Sequence, residues 1–137
     1  MRRLALAAQR SWPLRRLVES ACAELRGKDY LSELAALSFF VWRNVRYQRD
    51  RRTTELVKTP EATLRTRVGD CDDMATLLAA LSMLSGAEAR FQAVGFRGDG
   101  VLTHVFCEAR DPRSGRWWCS IRSRGLGRRR CFGAFAT

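Results

Sequence analysis

A chain of 137 residues, with 25 Lys and Arg against 14 Asp and Glu and a formal net charge of +11, is long enough to bury one core and short for more than one domain. Its five cysteines, an odd number with no Cys-x-x-Cys pair, fit neither a disulfide framework nor a zinc-finger spacing, which points to a reducing, cytoplasmic setting. The longest apolar run, Leu34 to Trp42 broken only by Ser38, is too short to span a bilayer, and no basic face with interleaved aromatics marks a nucleic-acid module. The expectation is therefore no membrane partner and no specific nucleic-acid binding.

Met1 to Ala8 carries the charge of a signal peptide without its apolar length. Pro13 suits a first helical turn, and Leu14, Leu17, Val18, Ala21 and Leu25 form one apolar stripe before Gly27. Leu31, Leu34, Ala35, Ser38, Val41, Trp42 and Val45 form a second. Trp42 and Tyr47 are candidates to line a site, although aromatics on an apolar helix face are usually core. Residues 48–58 read as a charged loop. Thr59 and Pro60 open a short helical turn carrying Ala62 and Leu64, which delivers the chain to Gly69, a residue free to make a sharp bend.

Asp70 then reads as an N-cap, and Met74, Leu77, Leu78, Leu81 and Leu84 repeat at helical spacing until Gly86. Beyond Gly86 the period changes. Residues 89–96 and 101–109 read as an antiparallel pair about a turn at 97–100, and residues 117–121 as a third strand after the turn Asp111-Pro112-Arg113-Ser114-Gly115. The predicted fold is α+β: N-terminal helices and a cysteine-bearing central helix packed on a small antiparallel sheet. Residues 1–121 form the predicted domain. Residues 122–137 are a basic tail with no apolar periodicity, and a change of reading frame near codon 118 is one explanation for it.

Cys71 falls in the first turn of the central helix, where unpaired N–H groups and the helix dipole favour a thiolate. Asp72 and Asp73 complement the dipole but oppose a second negative charge beside them. The sole histidine, His104, lies in an alternating strand and can take a proton from a nucleophilic thiol. Asp72, Asp73 and His104 do not have the spacing of a metal set, and no cofactor is expected. Cys22, Cys107 and Cys119 are adequately explained by packing.

Gly69-Asp70-Cys71-Asp72-Asp73 opening a helix, Gly86-Ala87-x-Ala89-Arg90-Phe91, His104-Val105-Phe106-x-Glu108 and Gly115-Arg116-Trp117 together resemble the transglutaminase-like cysteine peptidase superfamily, especially its compact phage and bacterial members. The segments around Arg46-Tyr47, Glu55-Leu56-Val57 and Thr59-Pro60-Glu61 share the likeness. The resemblance implies a papain-like core with Cys71 and His104 as catalytic residues and a peptide or protein substrate. It also implies an aspartate on the Gly-x-Trp strand. A turn centred between Pro112 and Arg113 sets position 121 opposite His104, and that position is Ile121. Asp111 is seven residues from His104, roughly 23 Å along a strand, and Asp99 is also too distant. Ser120 and Ser123 are weaker substitutes for a carboxylate.

Two functions follow. One is a thiol hydrolase, amidase or peptidase using a Cys71–His104 pair. The other is a catalytically impaired descendant, of phage origin, kept as a structural or binding protein.

Overall fold

The computed structural model describes residues 1–25, 27, 29–49, 56–95 and 100–119. The chain runs α1 (Arg2–Ala7), a 3-10 turn (Ala8–Arg10), α2 (Trp12–Cys22), α3 (Tyr30–Asn44), β1 (Arg46–Tyr47), α4 (Pro60–Thr66), β2 (Val68–Gly69), α5 (Cys71–Leu84), β3 (Glu88–Val94), β4 (His104–Arg110) and β5 (Trp117–Cys119). This is the α+β arrangement expected. Two additions were not anticipated: α1, and the two-residue parallel pair of β1 with β2.

Helix α5 is the centre of the molecule. Its apolar positions make more than one stripe: Ala75, Leu77, Leu78, Ala79, Ala80 and Leu81 are all buried, together with Thr76 and Ser82. A helix buried on every side needs partners on every side, and α1, α2, α3 and α4 as well as β3 and β4 pack on it. Ala5, Ala8, Leu14 and Val18 from the N-terminal helices join the same core as Leu37, Val41, Val105 and Cys107. Alanine at 79 and 80 lets neighbouring backbone approach closely, and the Gln9 side-chain amide donates to the Ala80 carbonyl at 3.2 Å. The helix ends where expected, with Ser85 as C-cap and Gly86 at φ +98°.

Helix α2 stops at Cys22, short of the stripe that was to run to Leu25. Asp29 caps α3 by accepting from the Ser32 N–H and hydroxyl. Thr59 caps α4 through the Ala62 N–H, with Pro60 at the first helical position, as its sequence indicated.

The sheet order is β3-β4-β5, all antiparallel. Phe91, Val105 and Cys107 belong to the α5 core. On the alternate positions, the Arg90 guanidinium lies between Glu108, at 2.6 Å, and the Trp117 ring, at 4.0 Å, so the Glu108 carboxylate is buried with its charge paired. β3 ends at Val94, earlier than predicted, and the turn proper falls largely in residues outside those described.

Candidate active site

Cys71 is the first residue of α5, and the preceding Asp70 is its N-cap. The cap is reciprocal. The Asp73 N–H donates to the Asp70 carboxylate at 3.1 Å, and the Asp70 N–H donates to the Asp73 carboxylate at 3.3 Å. Asp73 is 3 % exposed, and it also accepts from the Lys58 N–H at 2.8 Å while its other oxygen lies 3.3 Å from the Lys58 ammonium. One carboxylate thus ties the segment before α4 to the first turn of α5. Its role is larger than complementing the dipole, because four orphan helix N–H groups alone do not require a carboxylate this buried.

Gly69 explains itself differently from its sequence reading. Its φ is not positive; instead a Cβ there would meet the Asp73 Cβ at 2.8 Å and its carboxylate at 3.2 Å. Glycine is needed for close approach rather than for a sharp bend.

Cys71 packs against the core that contains Val105 of β4, and the backbone N–H groups of Val105 and Asp72 favour its charged form. Val105 directly follows His104, the first residue of β4, which pairs with Val94. The thiol of α5 therefore rests against the strand next to the chain's only histidine. Burial pushes the Cys71 thiol up from its ordinary value; the Asp72 and Asp70 carboxylates push the same way, and the two N–H donors do not offset them. Of the two opposing effects read in the sequence, the helix start is outweighed by the carboxylates together with burial. Burial also pushes the His104 imidazole down. Both shifts favour the neutral forms, thiol and imidazole.

Tyr47 joins this group. It sits on β1 opposite Gly69 of β2, a pairing held by the Gln48 N–H to the Gly69 carbonyl at 2.9 Å. Burial raises its phenol, and negative charge at Cys71, Asp70 and Asp72 raises it further while Arg49 opposes. The residue is 52 % exposed, and its phenol lies within electrostatic reach of the thiol. Only a two-residue parallel bridge brings it there, and no sequence periodicity reports a pairing that short.

A model of the family described as the transglutaminase-like superfamily matches residues 19–121, three-quarters of the chain. The chain belongs to the transglutaminase-like superfamily. Among solved structures it is similar to a candidate cysteine protease from Cytophaga hutchinsonii, with 23% identity and a TM-score of 0.61 over 78% of this chain and 35% of that one. It is also similar to a candidate protease from Parabacteroides distasonis, with 12% identity and a TM-score of 0.68 over 83% of this chain and 24% of that one. At these identities the likeness is one of fold, and the chain spans about a third and about a quarter of those two proteins. No curated protein matches the sequence.

The third superfamily position needs a correction. The pairs formed between β4 and β5, Glu108 with Cys119, Ala109 with Trp118 and Arg110 with Trp117, centre their turn one residue later than the count that set Ile121 against His104. That assignment no longer follows, and Ile121, Ser120, Ser123, Asp99 and the tail lie outside the described residues. Asp111 is committed to its own turn, accepting from the Arg113 N–H at 2.8 Å and the Ser114 hydroxyl at 2.6 Å. Among the described residues no three metal-ligating side chains cluster, and no helix is long and apolar enough to cross a membrane. Cys22 and Cys71 are free thiols.

Proposed function

We propose that the chain is a thiol hydrolase acting on a peptide or side-chain amide, with Cys71 as nucleophile and His104 as general base. The observation that carries this reading is the packing of Cys71, at the start of α5, in the same core as Val105, the residue after His104 on β4. From a neutral resting pair, the thiol proton passes to His104 as sulfur attacks the substrate carbonyl; His104 then protonates the departing amine, leaving a thioester. Water attacks the thioester, His104 takes its proton, and the carboxylic acid leaves as the thiol is restored. In this reading, backbone N–H groups of the first α5 turn and the Tyr47 hydroxyl stabilise the developing oxyanion.

A second reading, a catalytically impaired binding or structural protein, is favoured by the burial of Cys71 and, after it, by the Asp72 and Asp70 carboxylates, all of which raise the thiol. Acylation separates the two. With a nitrophenyl ester, the enzyme releases a stoichiometric burst of nitrophenol, leaving a thioester at Cys71. The burst disappears in Cys71→Ala, and His104→Ala slows both phases. A folded protein with no burst, or a burst that survives in Cys71→Ala, removes the catalytic reading.

A further inference from the structure

The elements that bring Tyr47 and Cys71 together also carry a ridge of cationic side chains. Arg43 lies in the last turn of α3, Arg46 on β1, Arg49 just beyond it, Arg65 in the last turn of α4 and Arg67 at its C-cap, and all five are exposed. The backbone joins the two groups: the Arg46 N–H donates to the Arg67 carbonyl at 2.9 Å, and Arg46 faces Val68 across the β1–β2 pair, with Arg43 and Arg49 three residues to either side of Arg46 and Arg65 two before Arg67. The ion pairs among the described residues use Arg16, Lys58, Arg90 and Arg110, and none of these five. At the mouth itself the sign reverses, since Asp70 and Asp72 flank Cys71.

From this arrangement we infer that the substrate is an acidic polypeptide whose reacting residue is neutral, with Glu or Asp residues a few positions away. The inference rests on the thiol-hydrolase reading for the identity of the reacting position. A carboxylate at that position would meet Asp70 and Asp72, whereas carboxylates farther along would meet guanidinium groups, which bind them in two-pronged fashion. Arg67 is four residues from Cys71, at most about 13 Å of extended chain, or roughly four residues of a bound peptide. Exposed guanidinium groups on the elements beside the thiol also steer an acidic chain toward it before contact.

The test is protection of Cys71 from iodoacetamide by two glutamine-centred peptides, one flanked by Glu and one by Lys. The Glu peptide is expected to slow alkylation of Cys71, and the Lys peptide is expected to have no effect at equal concentration. In Arg46→Glu/Arg49→Glu the half-protecting concentration should rise tenfold or more, and it should stay the same in Arg3→Glu/Arg10→Glu, which changes net charge equally on α1 and its following turn. Raising the salt should weaken protection of the unaltered protein, a readout independent of any variant's folding. Equal protection by the Lys peptide, equal loss in both variants, or a single-stranded oligonucleotide protecting at lower concentration than the Glu peptide overturns the inference. An ester burst without peptide discrimination leaves catalysis standing and the acidic substrate refuted. Discrimination without a burst does the reverse.

Discussion

At Cys71 two opposing local effects meet, and their balance decides how the thiol behaves. Two N–H donors favour thiolate; burial and two carboxylates favour thiol, and they win. Alkylation of Cys71 should therefore rise only above the pH at which an ordinary cysteine ionises. Removing the Asp72 charge removes one of the causes that raise it, so Asp72→Asn should move the alkylation profile to lower pH; an unchanged midpoint counts against the electrostatic account. His104 offers a second check because it gives the only imidazole signal in the proton spectrum. With the imidazole pushed down by burial and the thiol neutral, its titration midpoint should lie below the ordinary value and move little in Cys71→Ser. A thiolate–imidazolium pair would instead show a raised midpoint that falls when the sulfur is lost. The placement of Cys71 and its cap was legible from Asp70 and the apolar period alone. The sign of its shift was not, because burial against β4 is contributed by residues more than thirty positions away in sequence.

The first turn of α5 is held at the scale of elements by Asp73. Truncation in Asp73→Ala leaves the N–H groups of Lys58 and Asp70 without their acceptor and the Lys58 ammonium with the Val68 carbonyl but no carboxylate. Loss of a buried acceptor and of one member of a largely buried pair costs about 3 kcal/mol, with the partial exposure of Lys58 keeping it at the low end for such pairs. Urea unfolding measures it. Asp73→Asn retains an acceptor oxygen and should lose about half as much. A cost for Asp73→Ala no larger than the ~1 kcal/mol of a simple cap would mean that the tie to Lys58 contributes nothing. The cap pattern around Asp70 was readable in sequence, and so were α4 and the three strands of the sheet. The partner of Asp73 was not, since Lys58 lies across α4 in a stretch that reads only as a charged loop. Helix α1 was also hidden, because six residues are too few for a periodic signal.

Across the whole molecule, the N-terminal helices belong to the same core as the superfamily region, although the family match begins only at residue 19. Leu14 is fully buried in that core, among residues that enclose α5. Leu14→Ala should lower unfolding free energy by about 3 kcal/mol, the usual cost of truncating a buried leucine, a large part of the ~5–15 kcal/mol that holds a domain folded. The N-terminal segment meets α5 near Ala80, where Gln9 donates, and that carbonyl lies nine residues from Cys71, roughly 14 Å along the helix axis. The substitution should therefore leave the pH profile of Cys71 alkylation unmoved while shifting the urea midpoint. Should Leu14→Ala cost less than about 1 kcal/mol, the N-terminal helices are an attachment to the superfamily core. If it shifts the thiol profile as well, packing at the far end of α5 reaches the thiol through the helix itself.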